Sequence, residues 1–213
     1  MDLYIGNKNY STWSMRAWLV LKHFKIPFTE HVVPYDDFLP EQNFKQTLAK
    51  ITPVGKVPVL KHEDLIIWDT LAICEYLAER FPERHLWVDD FKMRAYARAI
   101  CAEMHSGFMT LRNFCPMNIA QDLSGLGQQL FHANVDLQAE IKRIDEMWSQ
   151  RPNENGFLCG NEFSIADAFY APVVMRFKSY GLPVSESSQH YMQTILNVPA
   201  VQTWMNEALK ESL

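Results

Sequence analysis

Apolar and polar positions change period several times along the first part of the chain. Leu3-Tyr4-Ile5 is a short apolar run that predicts a strand, and the Gly- and Asn-rich stretch Gly6 to Tyr10 predicts a turn. Met15, Trp18, Leu19, Leu21 and Phe24 then recur at helical spacing, and Ser11 or Ser14 suits the cap of that helix. Ile26-Pro27 ends it, and Phe28 to Val33 alternates as a strand. Pro40 to Lys50 reads as a helix. Strands follow at Val57 to Lys61 and Leu65 to Trp68, joined by a short polar turn. Thr70 to Arg80 is a helix with Leu71, Cys74, Leu77 and Ala78 toward the core, stopped near Pro82. Strands interleaved with helices and closing on a hairpin and a helix describe an α/β layer over residues 1–80.

The pattern then changes. Residues 81–90, with Pro82 and a cluster of charges, read as a linker. Residues 91–213 show helical periodicity only. Met93, Tyr96, Ala97, Ile100, Cys101, Met104 and Phe108 form one stripe, and Leu126 to Trp148 forms another that ends before Pro152. Ser164-Ile165-Ala166-Asp167 is a capping-box variant. It starts a helix to about Tyr180 that Pro172 should kink. Val198-Pro199 to Leu209 is a last helix with proline in its first turn. The second domain is therefore expected to be all α.

Composition narrows the function classes. The chain has 213 residues, 48% hydrophobic and 21% charged, which is the balance of a globular protein with one large or two modest domains. A net charge of −5 supplies no electrostatic pull toward nucleic acid or an anionic membrane. No apolar run is long enough to span a bilayer, and the start Met1-Asp2-Leu3-Tyr4-Ile5 lacks the pattern of a signal peptide, so a cytoplasmic protein is expected. Cys74, Cys101, Cys115 and Cys159 are widely spaced with no C-x-x-C pair. They read as reduced packing residues, with no metal site expected.

Two stretches carry chemistry. In Gly55-Lys56-Val57-Pro58-Val59-Leu60, proline opens a strand, where its missing N–H costs no ladder bond. A cis bond there would turn the Val57 N–H and C=O toward a passing peptide. In Trp68-Asp69-Thr70-Leu71-Ala72-Ile73, Asp69 and Thr70 stand at a helix start, where free N–H groups and a hydroxyl suit a carboxylate. A peptide-binding edge beside a carboxylate-binding helix end describes a receptor for a small peptide with a free acid.

These two stretches, with Tyr10-Ser11-Thr12-Trp13-Ser14-Met15-Arg16 and Phe163-Ser164-Ile165-Ala166-Asp167, lie in an order and spacing that resembles the cytosolic glutathione S-transferases, nearest their serine-type zeta and theta-like bacterial classes. The resemblance covers nearly the whole chain. It implies a thioredoxin-like first domain that binds glutathione, a cis Val57-Pro58 bond, an all-α second domain that completes the electrophile site, and a homodimer. It places Ser11 at the catalytic serine, with Ser14 the second choice. The spacing Ser11-x-x-Ser14 stands where redox members of the fold carry C-x-x-C, so dithiol exchange is excluded. By the same carry-over Val57 and Pro58 meet the cysteinyl unit, and Asp69 and Thr70 hold the γ-glutamyl amine and carboxylate. Lys56 is placed at the glycyl carboxylate.

The chemistry implied is thiol activation. A free thiol with a pKa of about 8.5 is mostly protonated at neutral pH, and a drop of roughly 2 units, about 2.7 kcal/mol, makes it mostly thiolate. A hydroxyl donating to sulfur and a helix N-terminus aimed at it both act in that direction. For the electrophile the resemblance points to Tyr10, Trp13, His105, Phe108, Arg112 and Arg176. His105 and Arg112, about two turns apart on one expected helix, would share a face. Tyr10, Trp13, Met104 and Phe108 would form an apolar wall suited to conjugation or peroxide reduction of a hydrophobic substrate. The two arginines and the histidine would instead suit glutathione-dependent cis–trans isomerisation of a keto acid such as maleylacetoacetate or maleylpyruvate. A third reading is a binding module of the same fold without catalysis. The motif Trp68-Asp69-Thr70 departs from the Glu-Ser more usual in the family, and Asp is one methylene shorter toward the amine.

Overall fold

A computed structural model of the chain describes residues 1–36, 39 and 41–211. Its elements run β1 (Asp2–Ile5), α1 (Thr12–His23), β2 (Thr29–Val32), α2 (Asn43–Ala49), β3 (Val59–His62), β4 (Leu65–Ile67) and α3 (Thr70–Arg80). A short turn at Pro82–Arg84 leads to α4 (Phe91–Ser106), α5 (Met109–Phe114), α6 (Ser124–Ala133) and α7 (Val135–Ser149). Then come α8 (Ile165–Tyr180), α9 (Glu186–Leu196) and α10 (Pro199–Ala208). The N-terminal domain is a four-stranded mixed sheet of order β2-β1-β3-β4, with β1 parallel to β2 and β3 antiparallel to both β1 and β4. The domain that follows is helical.

The alternating period in β1 turns Leu3 and Ile5 into the core, where α1 packs with Met15, Trp18, Leu19 and Val20 fully buried or nearly so. The other side of α1 meets the helical domain. It lies along α8 and reaches α10, where the Trp18 and Trp204 rings meet edge to face at 5.2 Å. A helix apolar on nearly every side is one buried between two layers. α8 is buried along almost its whole length and runs on through Pro172. At its start Asp167 Oδ2 accepts the Ser164 N–H at 2.9 Å and the Ser164 hydroxyl at 3.0 Å, the expected capping box. The four cysteines are buried and free. Among the described residues no helix is long and apolar enough to cross a membrane.

Several expectations need correction. The stripe from Met93 to Phe108 is broken at Gly107, and Phe108 adopts a left-handed backbone with φ 54°. The stretch from Leu126 to Trp148 is two helices, because Asn134 is extended and its Oδ1 accepts the N–H groups of Asp136 and Leu137, starting a new helix. α5 and α9 carry no expectation from the periodicity. The helix expected from Pro40 begins at Asn43, and Pro40 lies outside the described residues.

Candidate active site

A cleft of about 320 Å³ opens between the N-terminal domain and the α4–α5 corner. Lys56, Val57, Pro58, Asp69 and Thr70 line it from one domain, with Trp13 from the first turn of α1 and His105 and Arg112 from the helical domain. Val54 and Trp68, which belong to or adjoin the two stretches but carried no role of their own, complete the wall.

The Val57-Pro58 edge takes the expected form. The Val57-Pro58 bond is cis. The β1–β3 register ends at Tyr4–Val59, so Val57 and Pro58 lie beyond the last ladder pair. The turn before them is held by Lys45 Nζ, which donates to the Gly55 carbonyl at 2.9 Å, while Gly55 takes the left-handed conformation with φ 57°.

At the start of α3, Asp69 is the cap, its Oδ1 accepting the Leu71 N–H at 3.2 Å. Its other oxygen, Oδ2, lies 3.3 Å from His105 Nε2, so this carboxylate also bridges the two domains. The Thr70 hydroxyl donates to the Trp13 carbonyl at 3.1 Å. That bond ties α3 to α1.

Ser11 stands at the cap position of α1, but its hydroxyl does not bond a helix N–H. It donates instead to Ser14 Oγ at 2.7 Å, and Ser14 Oγ also accepts the Gly6 N–H at 3.2 Å. Ser14 lies inside the helix and is fully buried, so it is not the cap that the sequence allowed. Ser11 is 3% exposed and does not line the cleft, although Trp13, two positions on, does. Tyr35, missed by sequence reasoning, lies over Gly6 from the segment after β2, and burial raises its pKa.

The turn that delivers Ser11 is clamped by the far end of the chain. Glu211 accepts the Lys8 N–H at 2.6 Å and the Asn9 N–H at 3.0 Å. Asn9 is wholly buried, donating to Asn118 Oδ1 at 3.1 Å and accepting the Ala120 N–H at 2.9 Å. Lys8 Nζ pairs with Glu30 and Glu207, and the Lys8 carbonyl accepts the Trp204 indole N–H at 3.0 Å.

The electrophile residues are placed unevenly. Arg112 is not on the His105 helix, because the chain turns at Gly107 and Phe108. It returns to the same wall from α5, Nη1 donating to the His105 and Gly107 carbonyls at 3.3 and 3.4 Å. Its guanidinium lies 4.9 Å from the Trp13 ring centroid, and that of Arg16 lies 4.1 Å from it. Arg16, also missed, is fully buried and donates Nε to the Phe169 carbonyl at 2.9 Å. Burial and the nearby Arg176 and Arg112 hold its pKa down to about 9.

Three residues expected in the electrophile site are not on its wall. Arg176 is buried and spends Nη1 on the carbonyls of Leu111, Arg112 and Cys115, bracing the end of α5. Phe108 is buried in the core by the turn after α4. Tyr10 lies in the preceding turn, 43% exposed and away from the cleft lining. Arg16 and Tyr35 left little local trace: one sits in a helix that reads as amphipathic, the other in irregular chain.

The family profile for the glutathione S-transferase N-terminal domain matches residues 10–80, and that for the C-terminal domain matches residues 118–207. Glutathione S-transferase 1 of Dianthus caryophyllus is 27% identical over 187 residues, covering 87% of this chain and 81% of the relative. A probable maleylacetoacetate isomerase of Caenorhabditis elegans is 26% identical over 201 residues, 93% of this chain and 89% of that protein. Among solved structures, a glutathione transferase homolog from Burkholderia GL BGR1 with bound glutathione superposes with a TM-score of 0.72 at 24% identity, covering 99% of this chain and 98% of the other.

Proposed function

The chain belongs to the glutathione S-transferase superfamily, and from that membership we propose that it binds glutathione in the cleft and activates the thiol at Ser11 for attack on a small electrophile. The observation that carries this reading is the convergence, on one cleft, of the Val57-Pro58 edge, the N-terminus of α3 and the first turn of α1. The edge is free to pair its backbone with the cysteinyl unit. The Thr70 N–H and the α3 end favour the γ-glutamyl carboxylate, Asp69 the amine, and Lys56 the glycyl carboxylate.

At the thiol, Ser11 turns its proton from Ser14 to the sulfur, and the N-terminus of α1 adds its partial positive charge. The thiolate then attacks the electrophile. A leaving group departs with the electron pair, or an added proton completes an addition. No metal takes part in this reading. Residues 1–80 form its glutathione half, residues 81–90 the connection, and residues 91–213 the electrophile half. A cytoplasmic homodimer with a role in detoxification fits it.

Arg112 and His105 on the cleft wall favour one second reading, the isomerisation of a carboxylate-bearing substrate. The isomerase name of the Caenorhabditis elegans relative supports it.

Calorimetry with glutathione and with cysteinylglycine, which lacks the γ-glutamyl unit, tests the binding site. Glutathione should bind and cysteinylglycine should bind far more weakly. Equal binding of the two, or binding of neither, would contradict the assignment.

A further inference from the structure

Arg16 carries a charge that no carboxylate of the described residues neutralises. It stands on α1, five residues after Ser11, and is 2% exposed. Nε donates to the Phe169 carbonyl at 2.9 Å, and Nη1 is buried with no hydrogen-bond partner. Among the described residues the arginines in ion pairs are Arg84, Arg98 and Arg143, so Arg16, Arg112 and Arg176 have none. The other titratable groups near Arg16 supply no anion. They are Cys74 on α3, Cys101 on α4 and Tyr170 on α8, and burial raises the pKa of each, which keeps it neutral. Arg16 itself stays a cation at neutral pH, because its lowered pKa is still about 9.

A buried cation without a counter-ion, with an orphaned N–H, works against folding. Its position gives it a use. Helical side chains lean toward the N-terminus. This one brings its guanidinium 4.1 Å from the ring centroid of Trp13, in the first turn of α1. Trp13 lines the cleft, so the cation lies behind the cleft wall, level with the helix end beside Ser11. There it adds a full charge to the partial positive charge of the α1 N-terminus. Its burial keeps water and salt from screening it. Arg112, on the cleft wall and 4.9 Å from the same ring, contributes a field of the same sign.

We propose that the Arg16 guanidinium is an interior counter-charge for the glutathione thiolate, acting through space from behind Trp13. The inference rests on the reading above, in which glutathione binds in the cleft with its thiol at the first turn of α1. The attraction exists only once the sulfur is ionised. Arg16 keeps its proton throughout, and the thiol proton passes to solvent. Ser11 then holds the sulfur by a hydrogen bond and Arg16 by charge alone. Five residues span about 7.5 Å along a helix axis, which puts the charge roughly 8 to 10 Å from the sulfur. At an effective dielectric constant of about 20, that separation lowers the thiol pKa by about 1 unit.

The test uses the full-length protein and two readouts. One is the pKa of the bound glutathione thiol, by thiolate absorbance. The other is the affinity for S-methylglutathione, whose sulfur cannot ionise, by calorimetry. Arg16→Met and Arg16→Gln both remove the charge, the first keeping apolar bulk and the second a donor for the Phe169 carbonyl. Each should raise the bound-thiol pKa by about 1 unit and leave S-methylglutathione binding nearly unchanged. Either variant suffices where the other does not fold. The charge does not act through Ser11, so Arg16→Met should add its full shift in the Ser11→Ala background. An unchanged thiol pKa, a shift in one folded variant that the other lacks, or no added shift in the Ser11→Ala background would overturn the proposal. So would a matching loss of S-methylglutathione binding, which marks a merely structural arginine. Wild-type protein that binds no glutathione would sink the underlying reading. Wild-type protein that binds and ionises it, with variants that do so equally, would sink the Arg16 proposal alone.

Discussion

Ser11 donates its hydroxyl to Ser14 Oγ at 2.7 Å, and Ser14 is the partner that also holds backbone, through the Gly6 N–H. The two serines are therefore unequal although the sequence left both open. Ser14→Ala strands the buried Gly6 N–H, which costs about 1 to 3 kcal/mol. It also frees the Ser11 proton for sulfur. The expected result is lower stability in urea unfolding with the bound-thiol pKa retained. Loss of the thiol shift in Ser14→Ala with stability intact would transfer the activating role to Ser14.

Asp69 serves both as the α3 cap and as a carboxylate facing His105 and the cleft. If it also meets the ammonium of glutathione, Asp69→Asn should weaken glutathione binding about tenfold or more, the size of a hydrogen bond to a charged group. A deaminated glutathione analogue should bind wild type and variant alike. Calorimetry separates the cases: equal weakening for both ligands would leave Asp69 with structural roles only.

Glu211 fastens the turn before Ser11 from the far end of the chain. Glu211→Gln replaces one of two acceptor oxygens by a donor, leaving one of the Lys8 and Asn9 N–H groups without its partner. Amide exchange in the segment from Gly6 to Thr12 should speed up while exchange in α8 stays slow. Uniform protection in the variant would show that the clamp is redundant with the Asn9 bonds to Asn118 and Ala120.

Burial pushes the Asp167 carboxyl up to about 6, against the hydrogen bonds from Leu158, Ser164 and Tyr191 that act to lower it. A carboxyl raised in the folded state binds its proton more tightly there than in the unfolded chain. Its contribution to stability is full below the unfolded carboxyl range near 4 and is lost as pH rises through about 6. The shift is about two units, so the stability excess of wild type over Asp167→Asn should narrow by about 3 kcal/mol between pH 4 and pH 7. Urea unfolding of both proteins across that range measures it. A constant difference would mean that Asp167 does not titrate in this window.

The fold was legible wherever the apolar period ran unbroken, as in α1, α3 and α8, and wherever proline or a capping box marked an end. It was not legible at Gly107–Phe108 and Asn134, where a single residue's backbone turns a continuous stripe into two helices. The Val57-Pro58 and Asp69-Thr70 wall of the cleft was likewise visible, because local sequence governs the backbone position of both. The electrophile side was not. Arg176 is drawn away by backbone carbonyls at the end of α5, and Arg112 reaches the cleft from a different helix than expected. Tyr35 covers Gly6 only through tertiary contact, and no spacing in the chain announces it.

The central claim is that Ser11 lowers the pKa of the glutathione thiol. Titrating bound glutathione by thiolate absorbance, in wild type and in Ser11→Ala, tests it most directly. The account predicts a bound thiol roughly 2 units below the free value of about 8.5, returning toward it in Ser11→Ala while glutathione still binds. A bound thiol that titrates at the free value in the wild type, or one that keeps its full shift in Ser11→Ala, would contradict it.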